Sequence, residues 1–130
     1  MQIKSYICGK KTNNIMADRK IIFYKQYFQT FFNELDAKTK KKVLQVLKWI
    51  ETIDFIPVSL MKSIEGTKGL YEIRIEYNSN IYRVFCCFDK GKLIILFHGF
   101  QKKTQKTPVR EIERAKKLMK EYFDLKDNEL

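Results

Sequence analysis

Two short polar turns set between three strand-like segments constrain this chain more than any other feature. Over residues 71–77, Tyr71, Ile73, Ile75 and Tyr77 alternate with Glu72, Arg74 and Glu76, the period-two pattern of a strand with one apolar and one charged face. Segments 81–88 and 93–99 have the same strand character, with Asn78-Ser79 and Lys90-Gly91 between them as turn dipeptides. Closing the first turn with Tyr77 and Asn80 sets Arg74 opposite Arg83. Closing the second with Asp89 and Lys92 sets Arg83 opposite His98, so the three form one row across adjacent strands. A three-residue Asn78-Ser79-Asn80 loop would shift the pairing by one and send the two arginines to opposite faces.

Like charges placed directly opposite each other destabilise an antiparallel pair, so an arginine pair points to an anionic ligand rather than to fold stability alone. The segment Gln101-Lys102-Lys103-Thr104-Gln105-Lys106 follows as a lysine-rich turn suited to holding phosphate. A second reading of the same face is a surface ion-pair ladder, since Glu72 and Glu76 flank Arg74. The net charge of +11 calls for an anionic partner, with RNA, DNA, a membrane surface or an acidic protein all admissible.

Ahead of the strands, Lys20-Ile21-Ile22-Phe23 reads as a short strand. Tyr24, Tyr27, Phe28, Phe31, Phe32 and Leu35 then recur at helical spacing, as a helix packed on a sheet requires. Asp36 is placed to cap a second helix, with Val43, Leu44, Leu47 and Ile50 inward and Lys38, Lys40, Lys41, Lys42 and Lys48 in water, ending at or before Pro57. The lysines fit either a solvated face or contacts to a phosphate backbone, Lys41 and Lys42 being the candidates. Trp49 reads as a packing residue at the helix edge, with nucleobase stacking a distant second choice. After a loop through 64–69 and the three strands, Thr107-Pro108 opens a last helix as N-cap and first-turn proline. Ile112, Ala115, Met119, Tyr122 and Phe123 form its apolar face, and Arg110 is a further candidate for a nucleic-acid contact.

With 45% hydrophobic residues, 130 residues suffice for one domain, expected over 16–123. Residues 1–15 show no pattern and are expected to be a loose extension, leaving Met1 and Met16 both open as starts, and 124–130 are expected to fray. Cys8, Cys86 and Cys87 are odd in number, and the last two point to opposite faces of a strand, which fits a reducing cytoplasm rather than a disulfide. One His and three scattered Cys make no zinc motif, no other metal or cofactor is expected, and no apolar run spans a bilayer.

The runs Gly69-Leu70-Tyr71-Glu72-Ile73-Arg74, Asn80-Ile81-Tyr82-Arg83-Val84-Phe85 and His98-Gly99-Phe100-Gln101-Lys102-Lys103-Thr104-Gln105-Lys106-Thr107-Pro108 together resemble the HigB branch of the RelE-like bacterial toxins, sometimes described as phage-derived. The likeness covers about residues 16–123. It implies a compact α+β, microbial-ribonuclease-like domain of order β-α-α-β-β-β-α with a mainly antiparallel sheet. It also implies a toxin of a type II toxin–antitoxin pair, an endoribonuclease that cuts messenger RNA, commonly on the ribosome. A protein antitoxin, in many such pairs a small helix-turn-helix protein encoded just downstream, would silence it.

Such chemistry needs no metal, because the RNA 2′-hydroxyl attacks the adjacent phosphorus and the protein positions, neutralises and moves protons. Arg74 and Arg83 are expected at the scissile phosphate, and Lys102 and Lys103 as neighbouring contacts or a transition-state clamp. His98 is the candidate acid or base. Glu72 would orient Arg74 or act as base, and Lys106, Lys41, Lys42 and Arg110 would bind RNA further out. A noncatalytic basic binding module and a degenerate toxin that only partners an antitoxin are the alternatives.

Overall fold

A computed structural model describes residues 18–128. The expected extension over 1–15, the choice between Met1 and Met16, and Cys8 lie outside the described residues. The chain runs β1 (Lys20–Phe23), α1 (Tyr27–Asn33), α2 (Ala37–Thr52), β2 (Met61–Ser63), β3 (Tyr71–Tyr77), β4 (Asn80–Asp89), β5 (Leu93–Lys102) and α3 (Val109–Asn128). This is the expected α+β order, with the three-residue strand β2 added before β3. The sheet order is β1-β5-β4-β3-β2; β1 runs parallel to β5 and every other pair is antiparallel.

Period-two alternation divides the core into two layers. On one face, Ile73, Ile75, Tyr82, Val84, Cys86, Ile94 and Leu96 pack against Phe28 of α1 and Val43, Val46, Leu47 and Ile50 of α2. On the other, Phe85, Cys87, Ile95 and Phe97 pack under Ala115 and Leu118 of α3. Each fully buried side chain of this size contributes roughly 1.5–3 kcal/mol. Cys86 and Cys87 therefore lie in different layers as free thiols. The second face is thus apolar where α3 covers β4 and β5, and charged over β3 and the adjoining Arg83 and Lys102.

The helices follow their local chemistry with two corrections. Asp36 caps α2, its Oδ1 accepting the Thr39 N–H at 2.8 Å, a cap worth about 1 kcal/mol. Leu44, expected inside, is 52% exposed, and Val46 takes the inward position instead. Thr107 does not cap α3: its hydroxyl donates to Glu72 Oε1 at 3.2 Å, and the Pro108 carbonyl accepts from Ile112. Arg19 closes the far end of α2, donating to the Ile50, Ile53 and Asp54 carbonyls. Among the described residues no helix is long and apolar enough to cross a membrane.

The boundary expected after residue 123 does not interrupt α3, which continues to Asn128 and is tied to the sheet there. Asp89, at the end of β4, accepts from Tyr122 at 2.7 Å and pairs with Lys126 at 2.7 Å. Burial alone would raise the Asp89 pKa, but the bonds from Lys126 and Tyr122 outweigh it and hold the carboxyl below its ordinary value. A carboxylate depressed on folding stabilises above its unfolded pKa and loses that contribution as pH falls through the folded one. Thermal stability of the wild type is therefore expected to drop below about pH 4, and Asp89→Asn to flatten that part of the profile. Parallel acid limbs in melting scans of the two proteins would remove Asp89 from the linkage.

Candidate phosphate-binding site

Two turns decide which side chains meet. Asn78 and Ser79 both have positive φ, 54° and 67°, so the first hairpin is a two-residue turn with the left-handed conformation at both central positions. Tyr77 consequently faces Asn80, and Arg74 faces Arg83 as read from the sequence. The second hairpin differs. Asp89 pairs with Leu93 around a three-residue Lys90-Gly91-Lys92 turn, shifting the register by one. A second shift follows between the pairs Cys86–Leu96 and Val84–Gly99, where Phe97 and His98 together oppose Phe85.

The bulge puts Phe100, not His98, opposite Arg83. His98 is 2% exposed, its ring 5.0 Å from that of Phe85, and its Nε2 lies 2.9 Å from Glu111 Oε1 on α3. Burial lowers its pKa, opposed by Glu111 and reinforced by the charge of Arg114. The expected row of three opposed side chains is therefore a pair, and His98 joins α3 to the sheet instead. His98→Ala is expected to cost about 2–4 kcal/mol of stability, because Glu111 loses its partner and a cavity opens beneath α3. Chemical denaturation showing an unchanged midpoint would contradict this structural role.

The arginine pair is organised by Glu72. Its Oε2 lies 3.5 Å from Arg83 Nε and 3.6 Å from Arg74 Nε, and its Oε1 accepts from Thr107. One carboxylate thus holds two opposed guanidinium groups, which supports an orienting role over that of a base. The balance is incomplete. Neither Nε makes a hydrogen bond although both atoms are buried, and Arg83 is only 4% exposed. A guanidinium out of water with free donors costs stability, and an anion with several acceptor oxygens would satisfy it.

Other cations gather on this charged face. Lys102 carries a pKa lowered first by burial and then by the charges of Arg83 and Arg74. Lys62 of β2 pairs in register with Glu72 and adds to the same field. It escaped the sequence reading because β2 is too short to show alternation. Arg74, Glu76 and Arg83 line a cleft of about 440 Å3 with Lys42, Val46, Trp49, Ser59 and Leu60. Lys102 and Lys103 flank a shallower depression beside the first hairpin, with Ser79, Asn80 and Ile81.

The expected residues therefore separate. Glu72, Arg74, Arg83 and Lys102 share one electrostatic cluster, Lys42 lines the same cleft as the arginines, and Lys103 stands on the adjoining rim. Lys41, Lys106 and Arg110 are exposed and line neither depression. Among the described residues no group of three or more His, Cys, Asp or Glu converges where a metal ion could bind. Two comparisons complete the description. The model of the family described as Phage derived protein Gp49-like (DUF891) matches residues 30–120, a span that contains every residue of the cluster. No curated protein matches the chain.

Proposed function

This chain belongs to the phage-derived Gp49-like family, a RelE-like, toxin-like family, and from that premise we propose that it is the HigB-type toxin of a type II toxin–antitoxin pair and cleaves messenger RNA. The observation that carries this reading is the opposed pair Arg74 and Arg83, held on Glu72 with buried donors unsatisfied. Such a pair is arranged for the oxygens of a phosphodiester, whose charge grows as the 2′-hydroxyl, its proton passing to water, attacks phosphorus and the P–O5′ bond breaks.

In this mechanism Arg83 and Arg74 bind the non-bridging oxygens, Glu72 fixes their orientation, and Lys102 and Lys103 approach from the β5 end. The lowered pKa of Lys102 suits it to give a proton to the departing 5′-oxygen, because burial first and then crowding by positive charge make an ammonium a stronger acid. Buried His98 is not asked to move a proton. Lys41, Lys42, Lys106 and Arg110 would add sequence-independent contacts to RNA or the ribosome. A cytoplasmic site of action and silencing by a small helix-turn-helix antitoxin belong to the same proposal.

Inducing this chain in bacteria and mapping messenger RNA ends, with and without the neighbouring gene, tests it. New ends and growth arrest that the neighbour suppresses are expected. RNA binding by purified protein without any cleavage, on ribosomes or free RNA, would instead identify a noncatalytic binding module.

A further inference from the structure

The cleft that reaches the arginines has an aromatic wall whose part in the phosphate chemistry is undefined. Trp49 lines it together with Arg74 and Arg83, half-buried against the core on its inner side. The ammonium of Lys42 lies over the indole, 5.2 Å from its centroid, a cation–π contact that a base stacking on this face would displace. A volume of about 440 Å3 falls within the range of pockets that take small molecules. Arg83, almost fully buried with its Nε making no hydrogen bond, borders the same space, so an anion drawn to it would bring whatever it carries into the cleft.

RNA carries a planar base one ribose away from each phosphate. We propose that this cleft is a nucleobase subsite, in which a base flanking the bound phosphate stacks on Trp49 while Lys42 neutralises the next phosphate along the strand. The proposal rests on the RNA-cleaving reading above and gives it a means of positioning. A base gripped at Trp49 restrains the ribose beside Arg83, and so the direction from which its 2′-oxygen meets phosphorus. Trp49 is then a positioning residue. Its packing from α2 against the buried core keeps the indole in place before substrate arrives, which limits the ordering that binding must impose.

Trp49 is the only tryptophan in the chain, so emission excited beyond the tyrosine absorption band reports on this site alone. The probe is a short 2′-O-methyl oligoribonucleotide, whose nucleophile is blocked, compared with an abasic strand of the same length and charge. The expected result is quenching of Trp49 by the first strand and not by the second. Trp49→Leu should weaken binding of the base-bearing strand by roughly 10- to 100-fold while leaving the abasic strand unaffected. Trp49→Phe, which keeps an aromatic face and guards against a folding defect, should retain most of the affinity. Tight binding of the base-bearing strand with unchanged emission, or equal affinity of wild type and Trp49→Leu, overturns the subsite but leaves the ribonuclease reading standing. Failure of the wild type to bind either strand overturns both.

Discussion

Purified Arg83→Ala is expected to cleave RNA roughly 10²- to 10³-fold more slowly than wild type, the usual loss when one preorganised electrostatic donor is removed. The fold should survive. Glu72 keeps Arg74 at 3.6 Å and the Thr107 hydroxyl at 3.2 Å, so the substitution removes a cation without stranding the carboxylate. Lys102 should respond as well. Arg83 is one of the charges that lower its pKa, so the limb of the pH–rate profile governed by Lys102 should move to higher pH. Arg83→Lys is the more discriminating variant. It keeps the charge and loses the planar fork, so two-oxygen recognition predicts slow cleavage with antitoxin binding intact. Cleavage by Arg83→Ala at near wild-type rate, assayed on ribosomes and on free RNA, would remove this residue from the mechanism.

Glu72→Gln should act in the opposite way, on the fold before the chemistry. Two opposed guanidinium groups and Lys102 would then share the charged face of the sheet without the carboxylate that holds them. Breaking a buried ion pair by neutralising one partner costs about 3 kcal/mol or more, roughly 10 °C in melting temperature for a domain of this size. Inorganic phosphate should restore part of that loss by supplying the missing negative charge, and should raise the melting temperature of the variant more than that of wild type. A variant that melts with wild type, with and without phosphate, would show that Glu72 does not hold the pair.

His98 illustrates how a local reading can be right in kind and wrong in place. An apolar run after a turn identified its strand, and its residue type suggested proton transfer. One extra residue in the turn and a bulge at Phe85 moved it beneath α3, and Phe100 took the expected position. No sequence rule marks that bulge, because it is stabilised by what packs around it: Phe31 lies so close to Gly99 that a Cβ there would stand 2.7 Å from its ring. Gly99 is thus where α1 meets β5, a constraint between residues 68 positions apart that neither segment displays alone.

Covalent geometry and local chemistry determined much on their own. Period-two alternation placed β3, Asn78-Ser79 set its hairpin and hence the Arg74–Arg83 pair, and Asp36 set the start of α2. These depend on residues within a few positions of each other, whose backbone preferences are nearly independent of context. The tertiary structure decided the rest. Only long-range packing brings Thr107 to Glu72, divides the second sheet face between α3 and the charged cluster, and turns Trp49 and Lys42 toward the arginines. It also carries α3 past residue 123, because Asp89 on a distant strand holds Tyr122 and Lys126. Such contacts arise from shape and charge complementarity between elements far apart in sequence, which no local pattern encodes.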